Sequence, residues 1–448
     1  MIQPQRLQNL NDLPVRQGNY VLYWMQASQR AEHNHALEYA IREANRLRQP
    51  LVVVFGLTGR FPDANERHYR FMLEGLADTE KALRKRQIQL VVLRQEPPQA
   101  ALKLAKDASL LVADRGYLRL QKQWREQVAR AASCLAVQVE TDVVVPVETA
   151  SPKEEVGART LRPKLQRQWD EFLVPLAQSK PKRSSLDLPF ESLDLSDIDA
   201  LLRKLKLPPG PTQSRFTGGA GAGLKVLDQF LDKGLADYYD FRNDALAEAV
   251  SHMSPYLHFG QLSPLQIALA VQQHPAAAVP VYLEQLLVRR ELSMNFVHYN
   301  PGYDHYEQAV PGWARKTLFE HAGDPRTVYS IGQLEASETA DSYWNAAMQE
   351  MVVTGYLHNY LRMYWGKKIM EWNPNPEEAF NRIAYLNNKY FVDGRDPVSW
   401  GNIAWCFGKH DRPWPPRPIF GTVRYMNASG LRRKFKADEY VKRVQIGG

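Results

Sequence analysis

The sequence predicts an α/β amino-terminal domain built on a parallel sheet, followed by an all-helical domain. Between Tyr20 and about Val147, short apolar runs alternate with longer amphipathic segments. Strands buried on both faces and separated by helix-length segments indicate a parallel sheet with right-handed crossovers. From Leu224 onward, apolar residues recur with the period of a helix. The predicted strands are 20–24, 51–57, 88–93, 109–114 and 136–141, and the predicted helical segments are 224–239, 264–273, 280–296, 342–372 and 376–391.

The chain divides into an α/β domain (1–150), an interdomain linker (151–224) and a helical domain (225–448). The linker region is enriched in Pro, Ser, Lys and Asp, with one or two helices expected around 161–177. It ends in a glycine cluster, which lacks the Lys-Ser/Thr pair of a P-loop and is interpreted as a flexible joint. The glycines are Gly218, Gly219, Gly221 and Gly223.

Composition favours a basic protein that remains in the cytoplasm. The 448 residues carry a formal charge of +8, which suits a polyanionic partner. Neither a membrane-spanning apolar stretch nor a signal peptide is evident. Cys134 and Cys406 are interpreted as buried thiols, and the pair His33 and His35 as surface histidines, so no metal site is expected. Basic residues crowd the end of the chain, at Arg412, Arg417, Arg424, Arg432, Arg433, Lys434 and Lys436.

Aromatic and charged residues of the helical domain are candidates for chemistry. Trp365 and Trp372 are seven residues apart in one predicted helix, which places them on one face roughly 10 Å apart along its axis. That separation suits electron hopping between indoles, but on spacing alone core packing is the favoured explanation. Arg362 and Asp393 would need each other if buried, because an unpaired buried charge is strongly destabilising. The hydroxyl residues around 251–254 precede Pro255 and fit either a phosphate-binding helix start or simple capping.

Several longer motifs of the helical domain resemble those of one family. These motifs are SPYLHFGQ (254–261), NPGYD (300–304), LRMYWGKKIMEW (361–372), LNNKYFVDGRDP (386–397), IAWCFGKHDRPW (403–414) and VRYMNASGLRRKF (423–435). With YWMQASQRAEHNHAL (23–37) and LRPKL (161–165), the resemblance extends in order through nearly the whole chain. The chain as a whole is similar to class II cyclobutane pyrimidine dimer photolyases, of the photolyase/cryptochrome fold.

The resemblance implies a U-shaped FAD at the centre of the helical domain. Arg362 and Asp393 would form an ion pair beside the isoalloxazine, with Arg395 close by. Asn387 would face flavin N5 and stabilise the reduced flavin through a hydrogen bond. The FAD pyrophosphate would lie near Tyr238, Val250, Ser251, His252, Met253 and Ser254.

The resemblance also implies how electrons and DNA reach the flavin. Trp365, Trp344 and Trp372 match the inner, middle and outer members of an electron-transfer chain, with Tyr329 as an auxiliary donor. Excited, reduced anionic FAD would donate an electron to a cyclobutane dimer flipped out of UV-damaged DNA and recover it after the ring splits. Trp405 matches one wall of the lesion pocket. Arg242, Arg412, Trp414 and Arg424 match residues that contact the DNA or fill the hole left behind.

Two residues depart from the family pattern. Gln285 replaces a glutamate that hydrogen-bonds the dimer, and Arg289 forms the second pocket wall, which is Trp or Arg in the family. The expected activity is a carbon–carbon lyase, deoxyribodipyrimidine photo-lyase. The loss of the glutamate keeps open a cryptochrome-like photosensor with weak or no repair. Repair of (6-4) lesions would need a histidine pair that cannot be placed. A deazaflavin or folate antenna is left open in the α/β domain, and a monomer is expected.

Overall fold

The computed structural model describes residues 2–447 and contains a six-stranded sheet in its amino-terminal part. The strands lie in the order β1-β6-β5-β2-β3-β4, with β2 to β6 parallel and β1 antiparallel to β6. The predicted fold class and its five strands are confirmed, whereas the short edge strand β1 was not predicted. The strands are Leu7–Asn9 (β1), Tyr20–Trp24 (β2), Leu51–Gly56 (β3), Gln89–Leu93 (β4), Ala108–Asp114 (β5) and Leu135–Val139 (β6).

The strand order reverses between β2 and β5, and the carboxyl ends of these two strands are joined by Asp114. Its buried carboxylate accepts hydrogen bonds from the Tyr23 hydroxyl and from the backbone N–H groups of Gln26, Ala27 and Ser28. Burial raises the pKa of Asp114, while these donors oppose the rise. Ligands of open α/β sheets bind at such a reversal, outside the carboxyl ends of the strands. The loop after β2 is therefore held at a place suited to a ligand.

Helices cover both faces of the sheet and fill the region between the domains. The sheet helices are His35–Leu47, Glu66–Lys85, Pro97–Ala105 and Arg119–Ala131, preceded by a 3₁₀ turn at Pro4–Arg6 and followed by Val147–Ala150. The linker region contains Ala158–Gln166, Trp169–Phe172 and Ile198–Leu205, so the helix expected to reach residue 177 ends earlier. The boundaries drawn at 150 and 224 stay predictions.

The glycine cluster is packed and does not form the flexible joint predicted for it. The helix Ala220–Gln229 begins inside the cluster, with Gly219 at its N-cap in the left-handed region (φ 115°). A Cβ at Gly218 would lie 2.0 Å from the carbonyl oxygen of Phe71 in the Glu66–Lys85 helix. Only glycine permits this close approach, so the cluster fastens the helical part to the α/β domain.

The remaining described chain is helical, as predicted. The segment predicted at 342–372 is divided by Gly355, which has a φ of 73° and ends the first of two helices. Trp372 caps the second helix and does not lie inside it. The helices are Phe230–Gly234 and Glu284–Arg289 (both π), Tyr238–Phe241, Ser254–His258, Pro264–Gln272, Val279–Leu283, Arg290–Tyr299, Tyr306–Ala309, Gly312–Glu320, Ile331–Glu335, Ser342–Thr354, Asn359–Glu371, Pro376–Tyr390, Pro397–Cys406, Ala428–Arg432 and Ala437–Gly447.

Other composition-based expectations have mixed outcomes. Both cysteines are buried free thiols, as predicted. The surface position predicted for His35 is wrong, since it is 2% exposed at a helix start and burial lowers its pKa well below the usual value. Between residues 2 and 447, no group of three or more His, Cys, Asp or Glu side chains could hold a metal ion. Over the same residues, no helix has the length and apolar character needed to cross a membrane.

Arg67 joins the α/β domain to the helical domain. It belongs to the Glu66–Lys85 helix, is 1% exposed, and donates to the backbone carbonyls of Met351 (3.2 Å), Tyr390 (2.7 Å) and Val353 (3.1 Å). Further hydrogen bonds reach the carbonyls of Gln213 and Val352. Burial lowers the pKa of Arg67 to about 10, and no ion pair with an acidic side chain compensates among the described residues. The guanidinium instead satisfies carbonyls at the ends of two helices.

We expect Arg67→Met to lower the free energy of unfolding by about 3 kcal/mol, because several buried carbonyls lose their donor. Urea denaturation of the purified protein measures the change. Arg84→Met is the matched control, since this side chain of the same helix is 67% exposed and forms only a 4.0 Å ion pair. The control should change stability by less than about 0.5 kcal/mol. Equal effects of the two substitutions would contradict the role of Arg67.

Candidate functional site

A buried ion pair lies at the centre of the helical domain. Arg362 of the Asn359–Glu371 helix donates from its two terminal nitrogens to both carboxylate oxygens of Asp393, at 3.1 and 3.3 Å. The guanidinium also stacks over the ring of Phe391, 3.8 Å from its centroid. Burial alone would raise the pKa of Asp393, but Arg362 and the Ser254 hydroxyl together hold it below the usual value. The pair predicted from sequence is therefore formed, and its carboxylate is ionised.

The segment 250–254 lies against this pair and against a cluster of tyrosines. Ser254 is the first residue of the Ser254–His258 helix and hydrogen-bonds Asp393. Ser251 accepts a hydrogen bond of 3.0 Å from Tyr282, whose ring meets Tyr238 edge-on at 5.3 Å. Neither serine side chain caps the helix, so the capping alternative is wrong. Tyr238, the two serines and the ion pair thus belong to one continuous polar and aromatic surface.

His252 is distinguished by its backbone and by an unsatisfied ring atom. Its φ of 54° is left-handed, which is uncommon for a residue with a side chain. Its Nε2 lies 3.2 Å from Glu248, while its Nδ1 is buried with no hydrogen-bond partner among the described residues. Met253 beside it is 1% exposed, and Val250 is partly buried. A polar ligand group at this turn would satisfy the ring nitrogen.

Asn387 and Arg395 are connected through Asn388. The Asn387 amide donates to Asn388 Oδ1 at 3.0 Å, and the same oxygen accepts the backbone N–H of Arg395 at 3.0 Å. The Arg395 guanidinium donates to the Asn388 carbonyl at 2.7 Å. Arg395 is 4% exposed and turns toward the α/β domain, so it does not share a carboxylate with Arg362. Burial lowers the pKa of Arg395 to about 10.

Four aromatic side chains form an unbroken path through the domain. The indoles of Trp365 and Trp344 stack with centroids 6.4 Å apart and planes within 6° of parallel. Trp344 meets Trp372 edge-on at 5.3 Å, and Trp372 meets Tyr329 at 5.0 Å. At the inner end, the ring of Phe391 lies 6.1 Å from that of Trp365 and also carries the Arg362 guanidinium. The path therefore begins beside the buried ion pair.

A second aromatic cluster is partly exposed and basic. Arg424 lies over the rings of Trp405 (5.7 Å) and Trp414 (4.2 Å) and donates to Asp411 at 2.8 Å. Arg412 lies 5.9 Å from the Trp414 centroid. Burial alone would raise the pKa of Asp411, but the Arg424 guanidinium keeps it below the usual value. The structure thus brings together four of the predicted DNA-contacting residues. Arg242 is not among them and donates to the Tyr239 carbonyl at 2.7 Å.

Gln285 and Arg289 lie on the π-helix Glu284–Arg289 with exposed side chains. Glu284 accepts two hydrogen bonds from Arg162, at 2.9 and 2.8 Å, and forms a 3.2 Å ion pair with Arg289. Glu284 is thereby held between two arginines. Its carboxylate therefore does not replace the glutamate missing at 285.

A cavity of about 110 Å³ lies outside the carboxyl ends of β2 and β3. Gln26, Phe55 and Trp124 line it from the α/β domain, and Arg395 and His258 line it from the helical domain. The cavity borders β2, one of the two strands between which the strand order reverses, but lies on the β3 side of it. The cavity is largely apolar, with polar side chains contributed by both domains.

The buried polar atoms around the ion pair fit a flavin nucleotide. His252 Nδ1, His358 Nε2 and Trp365 Nε1 are buried and have no hydrogen-bond partner within residues 2–447. An isoalloxazine or a pyrophosphate offers acceptors and donors for such atoms, and Arg362 and Asp393 offer a cation and an anion to the polar edge of a ring. The residues present therefore match the needs of FAD. Burial lowers the pKa of His358 to about 4, so this ring is neutral.

Some residues of the site were not found by sequence reasoning. Phe391, Tyr282 and Asp411 connect the predicted residues, yet each is an ordinary core or loop residue by type. Asp411 lies inside the motif 403–414, which was the only available signal. Glu284 was not singled out, and its partner Arg162 appeared only as part of the LRPKL motif.

We expect Asp393→Asn to lower the free energy of unfolding by about 3 kcal/mol near neutral pH, because Arg362 is left as an uncompensated buried charge. The lowered pKa of Asp393 means that the pair stabilises the fold above the pKa of the unfolded carboxyl and that this stabilisation is lost as pH falls through the native value. The difference in the free energy of unfolding between wild type and variant should therefore narrow below about pH 4. Urea denaturation at a series of pH values measures this difference. A gap that does not change with pH would contradict the assignment.

The chain is similar over nearly its whole length to several proteins that share one name. Residues 21–182 match the model of the DNA photolyase family. Curated relatives named deoxyribodipyrimidine photo-lyase include those of Methanothermobacter thermautotrophicus (51% identical, covering 99% of each chain), Arabidopsis thaliana (40%, covering 95% of this chain and 88% of the relative) and Potorous tridactylus (36%, covering 96% and 82%).

Solved structures support the same fold. A class III photolyase from Agrobacterium tumefaciens matches with a TM-score of 0.73 at 19% identity, covering 96% of this chain and 87% of its own. A Synechocystis cryptochrome matches with a TM-score of 0.76 at 16% identity, covering 95% and 88%. These two likenesses concern the fold alone. The identities of 36–51% over nearly the whole length place the chain in the deoxyribodipyrimidine photo-lyase family.

Proposed function

We propose that the protein is a light-driven, FAD-dependent lyase that splits cyclobutane pyrimidine dimers in UV-damaged DNA. The observation that carries the proposal is the aromatic path from Tyr329 to Trp365, which ends beside the buried pair of Arg362 and Asp393. A purely structural core does not need aromatic rings in unbroken contact beside a buried charge pair. The membership of the chain in the photo-lyase family supports the same activity.

FAD would be held by the residues around the ion pair. Fully reduced, anionic FAD supplies, once excited by light, an electron to the dimer and takes it back after the cyclobutane ring has opened. Arg362 and Asp393 would bind the polar edge of the isoalloxazine, and Asn387 would meet its N5 position. Tyr238 and the segment 250–254 would bind the pyrophosphate, and the unpaired Nδ1 of His252 would hydrogen-bond it. Arg395 would not contact the flavin directly; it would hold Asn388, which in turn accepts a hydrogen bond from Asn387.

The aromatic path would return oxidised flavin to its active, reduced form under light, with an external reductant in solution replacing each electron at the outer end of the path. Neighbouring ring centroids are 5.0 to 6.4 Å apart, so each electron step is short. Trp365 would be the inner donor, Trp344 the middle one and Trp372 the outer one. Tyr329 would be an auxiliary donor next to Trp372.

We expect Trp365→Phe to reduce the rate of flavin photoreduction at least about 100-fold, because the first electron step loses its donor. Absorption changes during blue illumination measure that rate. Dithionite-reduced variant should still repair dimers. Trp400→Phe is the matched control, since Trp400 packs against Tyr303 outside the path. Photoreduction that survives in the first variant, or is lost in the control, would contradict the path.

The basic aromatic cluster would receive the damaged DNA. A dimer pairs and stacks poorly, so flipping it out of the duplex costs less than flipping an intact base. Trp405 would form one wall of the pocket and Arg289 the other. Arg412, Trp414 and Arg424 would contact the DNA around the vacated position, and Arg242 would contact a phosphate.

We expect Trp405→Ala to abolish dimer repair while FAD remains bound, because the stacking surface for the flipped dimer is lost; stacking of this kind contributes about 1–3 kcal/mol per base. Repair of a thymine-dimer oligonucleotide under blue light with reductant measures the activity. Flavin absorbance of the variant is the control for its integrity. Unchanged repair would contradict the pocket assignment.

Gln285 favours one alternative function, a cryptochrome-like photosensor with little or no repair. An amide keeps the hydrogen bond to a pyrimidine but cannot supply an acid or a charge. Illumination that reduces the flavin and leaves dimers intact would select this alternative. Gln285→Glu would then show whether a carboxylate restores repair.

The cavity at the ends of β2 and β3 would hold an antenna chromophore, a deazaflavin or a folate. Its largely apolar lining and the aromatic rings of Phe55 and Trp124 suit a flat heterocycle. Cytoplasmic location and a monomeric state are proposals that follow from the family resemblance alone.

A further inference from the structure

Lys367 is a fully buried lysine to which the proposed reaction gives no role. It lies two residues after Trp365 in the Asn359–Glu371 helix and is 0% exposed. Its ammonium donates to the backbone carbonyl of Cys406, and no acidic side chain of residues 2–447 forms an ion pair with it. A buried ammonium without a carboxylate partner is costly, so a fold retains it only where it contributes something else.

The position of the Lys367 ammonium is set by a close approach of two helices. A Cβ on Gly366 would lie 2.9 Å from Cys406 Sγ, so glycine allows the backbones of the two helices to approach. Cys406 is the last residue of the Pro397–Cys406 helix, where unpaired carbonyls and the helix dipole attract a cation. Lys367 therefore binds the carboxyl end of the helix that presents Trp405.

Lys367 also lies against Trp405 itself. Its Nζ is 5.4 Å from the centroid of the indole, and Arg424 is 5.7 Å from the same ring. A cation at this range is attracted to the ring, and more strongly where water is excluded. The Trp405 indole thus contacts one buried cation, Lys367, and one partly exposed cation, Arg424.

The charge of Lys367 is sensitive to pH because of its surroundings. The pKa of Lys367 is lowered to about 8, chiefly by burial; Cys406 and Asp411 oppose this lowering, and Arg424 contributes to it. The paired charged side chains on its own helix and on two further helices packed against it are Arg362 with Asp393, Lys368 with Glu371 and Asp341, Glu350 with Tyr440 and Arg443, Arg382 with Glu378, and Lys389 with Glu335. Glu377, at the start of the Pro376–Tyr390 helix, is the other acidic group there.

We infer that Lys367 is a positioning residue for the lesion pocket, whose buried ammonium holds the carboxyl end of the Pro397–Cys406 helix and the indole of Trp405 in the orientation that receives a dimer. The inference rests on the proposed function, since it takes Trp405 as a pocket wall. Loss of the proton leaves a neutral amine, which binds both the carbonyl and the ring more weakly. Discrimination of dimer-containing from undamaged DNA should therefore decline as pH rises through the pKa of Lys367.

The stability of the fold should change in the opposite direction. A lysine whose native pKa is lowered below its unfolded value contributes stability that is fully present above the unfolded pKa and is lost as pH falls through about 8. Between these two values the unfolded chain binds more protons, so this residue favours the native state increasingly as pH rises. Weaker dimer discrimination at alkaline pH would consequently not arise from loosening of the whole fold.

The test compares Kd for a dimer-containing duplex with Kd for the same duplex undamaged, between about pH 7 and about pH 9.5, on either side of the lowered pKa. The holoprotein and Lys367→Met are measured in the dark. The wild-type ratio should fall with rising pH. The variant should show a ratio about tenfold smaller near pH 7, because the buried cation–π contact is gone, and no dependence on pH. Bound flavin and its photoreduction should be unchanged.

Lys122→Met is the matched control. Lys122 also donates to carbonyls at the end of a helix, those of Val297 (3.3 Å) and His298 (2.8 Å), and burial likewise lowers its pKa to about 8. It lies between the domains and has no contact with Trp405, so its loss should leave the pH profile of discrimination as in the wild type.

A Lys367→Met protein with wild-type discrimination and pH profile would overturn the inference while leaving the proposed function intact. Wild-type protein that never prefers dimer DNA would contradict the proposed function first. If Lys367→Met does not fold, the pH dependence of the Kd ratio in the wild type and in Lys122→Met tests the inference instead. A ratio that stays constant with pH in the wild type, or becomes constant in Lys122→Met, would overturn the inference.

Discussion

The pairing of Arg362 with Asp393 inside an apolar helical domain is the interaction on which the rest of the site depends. Neither charge can be buried alone, so the Asn359–Glu371 helix and the loop after Pro376–Tyr390 must meet in one register. Trp365 is nearly one turn beyond Arg362 on the same helix, so that register also fixes the inner end of the aromatic path. Phe391 contacts both, carrying the guanidinium at 3.8 Å and the indole at 6.1 Å.

Arginine and tryptophan serve different purposes in the buried site around Arg362 and in the partly exposed cluster around Arg424, which forms the rim of the proposed lesion pocket. Inside, Arg362 is satisfied by a bidentate carboxylate, and the indoles contact one another. At the rim, Arg424 is 39% exposed and divides its contacts between Asp411 and two indoles. An ion pair this exposed adds little to stability, so its value lies in orienting a cation and two aromatic faces toward solvent. That arrangement suits a polyanion with a displaced base.

The sequence predicted the fold class and much of the site, for identifiable reasons. Buried parallel strands such as Leu51–Gly56 are continuous apolar runs, and long helices such as Pro376–Tyr390 show their period clearly. The pairing of Arg362 with Asp393 followed from the cost of burying either charge. Contacts that depend on three-dimensional register were not predictable: the close packing of Gly218, the edge strand β1, and the engagement of Glu284 by Arg162 more than a hundred residues away. Lys367 was missed because a lysine in a helix is usually exposed.

The proposed activity requires a flavin nucleotide bound beside Arg362, Asp393 and Trp365. Its most direct test is the absorption spectrum of the purified protein, with the released chromophore identified after denaturation. We expect oxidised flavin absorbance, release of FAD in a one-to-one ratio with the chain, and loss of this binding when Arg362 and Asp393 are replaced together. Protein that is folded, colourless and unable to take up FAD would contradict the central claim.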